Sequence, residues 1–331
     1  MYNTDQKCPK QHLLFKERSE TMTQKKSDLE TYIKIFNTLT KMNLAHLEIT
    51  NIVAGPRLFN CIVHPEKSAK ISSVSKATAD VNTLCQPMKN STDLVFGFPR
   101  TDAKPITLTA LLKDKIWAET TAKLPLLLGV DTFGEPQITD LTKVPHLLIS
   151  GRTGAGKTMF LKSIIKTLQP KAKNCKFTVF DPKLIDFKPS KNVVVINDAT
   201  QAFDELDKIV SEVETQYKSK KPTKNDYHIL MFDEFADFVA LDCKRFEAAI
   251  QALTQKARAC GIHLIMATQR PDAITKTLRA NLPVRLVFQT RSKADSVRAL
   301  GEPGAELLLG WADALYSEAG CIPKRMHTPI I

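Results

Sequence analysis

The sequence lacks the features of a membrane or exported protein. Its 331 residues contain no apolar run of about 18 residues, the length that spans a bilayer. The first twenty residues are polar and charged, without the apolar segment of a secretory signal. We therefore expect no integral membrane span and a cytoplasmic location.

The seven cysteines are scattered, and none of them forms a C-x-x-C pair. Such an arrangement favours free thiols in a reducing compartment over disulfides or a zinc site. Internal repeats and low-complexity segments are also missing, and 43% hydrophobic with 25% charged residues excludes a disordered or fibrous chain. The length leaves room for two folded domains.

The formal net charge is +12, and most of it lies in two blocks. Residues 151–200 carry ten Lys or Arg against three acidic residues, and residues 251–300 carry nine against two, so each block is at +7. This charge favours an anionic partner such as nucleic acid or a membrane surface, although a lysine-rich solvated surface has the same composition. The second block has one aromatic residue, Phe288, which favours phosphate contacts to a duplex over stacking on single strands.

Three regions differ along the chain. Residues 1–46 contain a capping box at 27–30 followed by an apolar stripe through residue 42, which predicts a helical extension. Its apolar stripe would dock on the rest of the protein, on a second copy of it or on a recruiting partner. Residues 47–104 combine short β-type runs with a polar helical stretch near 75–84, which predicts a small α/β domain. Residues 105–331 open with a short helix at 108–117 and then alternate strands with helices, which predicts a larger α/β domain.

Six short apolar runs in the larger region predict the strands of a mostly parallel sheet. They are continuous rather than strictly alternating, as is typical of strands buried on both faces. The helical segments between them would serve as crossovers. The runs cover residues 146–149, 177–180, 193–196, 229–232, 264–267 and 284–288.

A phosphate-binding motif follows the first of these strands. It has the pattern G-x-x-x-x-G-K-[ST] and stands between a predicted strand and a predicted helix at 158–168, the setting that a P-loop requires. Glycines let backbone N–H groups surround phosphate oxygens, the lysine reaches the β and γ phosphates, and the final hydroxyl ligates Mg²⁺. The motif therefore predicts a site for ATP and Mg²⁺. Its residues are Gly151, Arg152, Thr153, Gly154, Ala155, Gly156, Lys157 and Thr158.

Two carboxylates end the apolar strand at 229–232. By position, Asp233 would hold Mg²⁺ together with Thr158, and Glu234 would orient and activate the attacking water. This pair favours hydrolysis over transfer to a bound acceptor. Gln269, just after the strand at 264–267, is a candidate sensor of the γ-phosphate, although strand ends are commonly polar.

These pieces together resemble the FtsK/SpoIIIE family of DNA translocases. The resemblance runs from about residue 47 to the C-terminus, with motifs that agree in order and spacing. It implies a RecA-like P-loop ATPase domain preceded by a small domain. The matching segments are LGVD at 128–131, PHLLISG at 145–151, DPK at 181–183, DEFAD at 233–237, QKARACGIH at 255–263, ATQRP at 267–271 and LLGWADALY at 308–316.

The resemblance also implies how such a protein works. Members of the family form a ring, a hexamer, that pulls double-stranded DNA through its centre at the expense of ATP. By position, Arg258 and Lys293 match basic residues that act in the site of the neighbouring subunit and stabilise charge on the transferring phosphate. Pore loops that follow the DNA backbone match the segments with Arg270, Arg279, Lys293 and Arg298, the last displaced by one position from the usual arginine.

The sequence departs from the family in ways that bear on its role. We expect neither the membrane-spanning N-terminal region nor the C-terminal winged helix that reads DNA orientation. Only about 50 residues separate Asp181 from Asp233, fewer than in cell-division members. These departures argue against septum anchoring and sequence-directed polarity, and they make a plasmid, integrative element or phage setting plausible.

Other functions stay open at this stage. A conjugative coupling ATPase or a viral genome-packaging ATPase of the same superfamily would share these motifs. A nucleotide-switched DNA-binding or partition module with little turnover belongs to a different class, and Glu234 argues against it. A P-loop kinase would need a lid-like arginine cluster, which we do not identify in the sequence.

Overall fold

The computed structural model describes residues 47–65, 85–88, 93–100, 102–172, 174–182, 186–219, 226–318 and 321–331. All of them belong to the unit formed by residues 46–331. The helix expected within residues 27–42 and the helical stretch expected at 75–84 lie outside the described residues.

A small antiparallel sheet comes first in the chain. Its strands are β1 (Leu47–Ala54), β2 (Leu58–Pro65), β3 (Cys85–Pro87) and β4 (Leu94–Pro99), in the order β1-β2-β4-β3. Asn60 on β2 donates from Nδ2 to the carbonyl of Thr132 at 2.7 Å, and Gln86 on β3 donates from Nε2 to the carbonyl of Pro323 at 2.9 Å. These bonds join the small sheet directly to segments of the larger one.

The larger sheet has ten strands. They are β5 (Pro125–Asp131), β6 (Pro136–Asp140), β7 (His146–Ser150), β8 (Cys175–Phe180), β9 (Val193–Ile196), β10 (Tyr227–Phe232), β11 (Ile262–Thr268), β12 (Val284–Phe288), β13 (Asp313–Ser317) and β14 (Lys324–His327). Six of these strands run parallel in the order β12-β7-β11-β10-β8-β9. On the other side of β12 the order continues through β13, β14, β5 and β6 with antiparallel pairs.

Helices cover both faces of this sheet. They are α1 (Leu108–Leu112), α2 (Lys115–Glu119), α3 (Lys157–Lys171), α4 (Ala199–Ser219), α5 (Phe235–Lys256), α6 (Lys276–Asn281) and α7 (Lys293–Leu300). Alternate residues of one strand enter different cores: Leu147 belongs to the core that contains Phe160 of α3, whereas Leu148 belongs to the core that contains Phe246 of α5. Burial on both faces explains why the strands are continuously apolar rather than alternating.

The expected α/β fold with a mostly parallel sheet is confirmed, and each of the six predicted strands is present. The single helix expected at 108–117 is wrong, because Asp114 accepts a hydrogen bond from the backbone N–H of Ile116 at 2.8 Å and starts a second short helix there. The antiparallel side of the sheet was not expected as strands. In the parts of the chain that the structure describes, no helix has both the length and the apolar character needed to cross a membrane.

Candidate functional site

The site lies at the edge of the large sheet where its parallel strands end. The P-loop follows β7, the carboxylates Asp233 and Glu234 follow β10, and Gln269 follows β11, which lies between those two strands. Segments that follow neighbouring parallel strands meet outside the same sheet edge, where α/β proteins bind their ligands. The sheet order therefore brings together residues that are up to 118 positions apart in the sequence, from Gly151 to Gln269.

The P-loop backbone has a shape that only glycine permits. Gly151 has φ +149° and Gly156 has φ +120°, values that side chains rarely adopt. A Cβ on Gly151 would lie 2.7 Å from the Cβ of Phe288, and one on Gly156 would lie 3.2 Å from the Cα of Ala312. Glycine at these two positions therefore lets the loop pack closely against Phe288 and Ala312 while keeping a backbone that can turn its N–H groups towards phosphate, which fits the role expected for it.

Lys157 is held inside this loop. It is the first residue of α3 and is only 5% exposed, and its Nζ donates to the carbonyl oxygens of Gly151 at 2.6 Å and Arg152 at 2.9 Å. The ammonium group therefore lies at the centre of the loop, at the N-terminus of a 15-residue helix whose dipole also favours an anion. Triphosphate of ATP fits this combination of cation, helix end and glycine backbone.

Thr158 and Asp233 form the part of the site that suits a divalent cation. The Thr158 hydroxyl donates to Oδ1 of Asp233 at 3.1 Å. Burial raises the pKa of Asp233 to about 6, with further raising by the charges of Asp181, Asp186 and Glu234. A concentration of buried negative charge with few protein ligands fits Mg²⁺, which keeps several of its waters and is bound through one or two carboxylates plus phosphate.

Glu234 is fixed in orientation by the neighbouring strand. Its side chain is 5% exposed, the hydroxyl of Thr268 donates to Oε1, and the backbone N–H of Gln269 donates to Oε2 at 2.9 Å. Both carboxylate oxygens thus have a donor from the end of β11. A carboxylate held in this way can accept a proton from a water in a defined direction.

Gln269 links this strand end to the P-loop. Its Oε1 accepts a hydrogen bond from the hydroxyl of Thr153 at 2.5 Å, while its backbone N–H binds Glu234. The residue expected to sense phosphate therefore contacts both the loop that would bind phosphate and the carboxylate that would orient water.

The structure does not bring Arg258 to this group of residues. Arg258 precedes β11 at the opposite edge of the sheet, where its Nε donates to the carbonyl of Thr142 at 3.1 Å and it lines a groove with Lys123 and Tyr227. Lys293 is exposed at the start of α7, on the same edge as the P-loop. Within one chain, Arg258 therefore lies where the parallel strands begin and Lys293 lies where they end.

The expected DNA contacts are spread over three segments. Arg270 is exposed beside Asp272, with 3.8 Å between the charged groups, and Arg298 on α7 lies 3.6 Å from Asp295. Arg279 on α6 is partly buried, and its carbonyl accepts from Nη2 of Arg285 at 3.3 Å. Arg270 and Arg298 present cations to solvent, whereas Arg279 is the least accessible of the set.

Sequence reasoning missed residues that complete the other side of the P-loop. The backbone N–H of Ala312 donates to the carbonyl of Ala155 at 2.9 Å, so the segment 310–313 lies against the loop. Nη1 of Arg57, from the turn between β1 and β2, donates to the carbonyl of Trp311. The segment belongs to a matched family motif, but nothing in its local sequence indicates which loop it contacts.

A buried ion pair anchors the same segment. Asp313 is fully buried and accepts from Nη2 of Arg325 at 2.7 Å and from Nε of Arg325 at 3.1 Å. Burial alone would raise the pKa of Asp313, but the charges and hydrogen bonds of Arg325 and His327 hold that pKa well below its usual range. The segment that contacts the P-loop is therefore fixed to β14.

Comparison with known proteins identifies relatives of most of the chain. Residues 107–223 match the model of the FtsK/SpoIIIE family. The DNA translocase FtsK of Oceanobacillus iheyensis is 31% identical over 96% of this chain, and the DNA translocase SftA of Bacillus subtilis is 30% identical over 88%. The alignments cover 46% and 34% of those two proteins, so the chain spans less than half of their length.

Solved structures share the fold. The conjugation coupling protein TcpA of pCW3, determined with ATPγS, aligns with a TM-score of 0.61 at 20% identity, over 88% of this chain and 93% of that chain. The type VII secretion ATPase EccC of Thermomonospora curvata aligns with a TM-score of 0.59 at 18% identity, over 69% of this chain and 32% of that chain. The sequence relatives confirm the expected family. The solved structures confirm the expected fold.

Proposed function

Because the chain belongs to the FtsK/SpoIIIE family, we propose that it hydrolyses ATP and uses the energy to move along double-stranded DNA. The observation that carries this proposal is the position of Glu234, a carboxylate with both oxygens held by the end of β11 beside a complete P-loop. A module that only binds nucleotide has no need of a fixed carboxylate at this place. The DNA translocases FtsK and SftA, which match most of the chain, support the DNA substrate.

Each residue of the site has one task in this mechanism. Lys157 and the P-loop N–H groups bind and orient the phosphates of ATP. Thr158 and Asp233 would hold Mg²⁺, which when bound neutralises charge that develops on the phosphate oxygens. Glu234 orients the attacking water and accepts its proton. Gln269 binds Thr153 of the P-loop through its side chain and Glu234 through its backbone N–H, so a movement of the loop would be transmitted to Glu234.

The active assembly in this proposal is a ring, a hexamer, in which neighbours share each site. Arg258 supports this arrangement because it lies at the sheet edge opposite the P-loop of its own chain, from which it would reach the site of a neighbouring subunit. Lys293, exposed on the P-loop edge, serves as the second trans-acting cation. Each cation would stabilise charge on the transferring phosphate at the interface.

Cationic side chains around the ring would follow the DNA backbone. The proposed contacts are Arg270, Arg279, Lys293 and Arg298. Cations in a segment with a single aromatic residue, Phe288, suit phosphates rather than stacked bases. Residues 1–46 would dock a recruiting partner, and the assembly would work in the cytoplasm.

Two measurements on the full chain test the proposal. Steady-state ATP hydrolysis should rise strongly with linear duplex DNA and fall steeply with salt, because phosphate contacts release counterions. Displacement of a third strand from a triplex tests movement itself, and Glu234→Gln is the matched control, since it keeps the size of the side chain and removes the charge. Hydrolysis that ignores DNA, or stimulation without strand displacement, would argue for a nucleotide-switched DNA-binding module instead.

A further inference from the structure

Trp311 is exposed beside the P-loop. The sequence has two tryptophans, and they differ sharply: Trp117 is 5% exposed and packs in a core, whereas Trp311 is 80% exposed, the highest value among the large apolar side chains that the structure describes. A tryptophan left in water forgoes the burial that makes it the largest apolar contributor to cores and interfaces. Its exposure leaves the indole free to contact a ligand at the P-loop.

The backbone at Trp311 is held in an unfavourable conformation. Trp311 has φ +47° and Ala312 has φ +66°, and they are the two non-glycine residues with positive φ among those described. Such conformations persist where surrounding contacts fix them, and they cluster at functional sites. Arg57 binds the carbonyl of Trp311, and Ala312 bonds to Ala155 through its N–H and to the N–H of Thr328 through its carbonyl at 2.7 Å.

The sheet order places Trp311 on the side of the P-loop where a nucleoside would lie. Asp233 and Glu234 lie on one side, beyond β11, and Trp311 precedes β13 on the other side, beyond β12. A water oriented by Glu234 attacks the γ-phosphate in line, so the leaving ADP extends away from Glu234. The ribose and base are therefore directed towards β12 and β13.

We propose that Trp311 is the platform on which the base of the bound nucleotide stacks. This inference rests on the proposed binding of ATP at the P-loop and adds the binding surface for its base. The indole offers a π-face rather than an edge of hydrogen-bonding groups, so its contribution is similar for adenine and guanine and smaller for a pyrimidine. Arg57 acts as a positioning residue, because it fixes the backbone of Trp311 from the small sheet.

Two probes separate the base from the phosphates. One is ATPγS with Mg²⁺, and the other is inorganic tripolyphosphate with Mg²⁺, which has no base. In calorimetric titrations of the full chain, Trp311→Ala should weaken ATPγS about tenfold, the range of one stacked base, and leave tripolyphosphate unchanged. Trp311→Phe should retain most of the affinity, because phenyl keeps a smaller π-face.

Fluorescence gives an independent readout. ATPγS should quench the tryptophan emission of the unchanged chain and leave the emission of Trp311→Phe unaltered, since Trp117 is buried in a core. Tripolyphosphate should quench neither. Arg57→Gln should reduce the ATPγS quenching while binding tripolyphosphate normally.

Distinct outcomes overturn the inference and the proposed function. Equal ATPγS affinity in Trp311→Ala and the unchanged chain, or equal weakening of both probes, overturns stacking at Trp311. Quenching by duplex DNA in the absence of nucleotide would show that Trp311 contacts DNA. Quenching that grows with protein concentration in the absence of nucleotide would show that Trp311 contacts a neighbouring copy. Either result also overturns stacking of the base at Trp311. An unchanged chain that binds neither probe contradicts the nucleotide site itself and, with it, the proposed function.

Discussion

The backbone N–H of Gln269 donates to Oε2 of Glu234 across two neighbouring strands, at 2.9 Å. The side chain of Gln269 meanwhile accepts from Thr153 in the P-loop. One residue therefore connects the loop expected to contact phosphate with the carboxylate expected to orient water. A shift of the loop on binding phosphate would change the orientation of Glu234 through a single rigid strand end.

The hydroxyl of Thr268 is the second donor to Glu234, and its removal should slow hydrolysis. We expect Thr268→Val to lower kcat about tenfold, the effect of losing one hydrogen bond to a charged group. KM for ATP should stay nearly constant, because Thr268 does not belong to the P-loop. Thr268→Ser keeps the hydroxyl and is the matched control. Equal kcat in the Val and Ser variants would remove Thr268 from this positioning role.

Lys157 should decide nucleotide binding. Lys157→Ala is expected to weaken ATPγS about a hundredfold or more, since it removes the buried cation at the centre of the loop. Lys162→Ala is the matched control: it lies on the same helix and pairs with Asp186 at 2.8 Å outside the loop. Calorimetry of both variants gives the comparison, and similar losses in the two would point to general destabilisation of α3.

Shared sites predict complementation between defective subunits. Arg258→Ala and Lys157→Ala chains should each be inactive alone, because one lacks the trans cation and the other lacks the phosphate-binding lysine. Mixed rings should regain part of the DNA-stimulated hydrolysis, as some interfaces then combine an intact P-loop with an intact Arg258. Lys256→Ala, a neighbouring lysine paired with Glu214, is the control for lost surface charge. Mixtures that stay inactive at every ratio would contradict the sharing of sites.

Asp313 should be critical for stability. Asp313→Asn leaves Arg325, itself 4% exposed, as a buried charge without its ionic partner, which typically costs about 3–5 kcal/mol. In urea unfolding, the midpoint of the variant should lie at a lower urea concentration than that of the unchanged chain. The double variant Asp313→Asn with Arg325→Met removes both charges and should recover much of the loss. A double variant as unstable as the single one would show that packing around β14, rather than the unpaired charge, dominates.

Three buried histidines predict how stability depends on pH. Burial lowers the pKa of His146, His228 and His263 to about 4, against about 6.5 in an unfolded chain. Between these values the unfolded chain binds more protons than the folded one, so stability falls as the pH drops from 6.5 towards 4.

His146→Asn tests this dependence. Asparagine keeps an acceptor near Nδ1, which binds the N–H of Leu264 at 3.2 Å, and removes the titrating group. The free energy of unfolding should fall with decreasing pH in both proteins, but less steeply in the variant. Between pH 6.5 and 5 the two slopes should differ by about 1 kcal/mol per pH unit. Urea unfolding at several pH values measures both slopes. Equal slopes for the variant and the unchanged chain would show that His146 does not contribute to the pH dependence of stability.

Much of the candidate site could be predicted because its residues are close together in the sequence. The P-loop needs its glycines, lysine and hydroxyl within eight consecutive residues, and Asp233 and Glu234 directly follow an apolar strand. Such patterns can be recognised without knowing which strands are neighbours. The strands themselves were predictable because burial on both faces requires continuous apolar runs.

The residues that complete the site depend on strand order, which local sequence does not encode. Only the placement of β11 between β7 and β10 brings Gln269 to both Thr153 and Glu234. Likewise, the antiparallel strands beyond β12 bring Trp311 to the P-loop from 155 residues away, counted from Gly156. The sequence by itself determined the candidate phosphate-binding motif of this protein, because its residues are consecutive. Tertiary structure alone decided what surrounds it, because pairing between distant strands is chosen by the packing of the whole sheet.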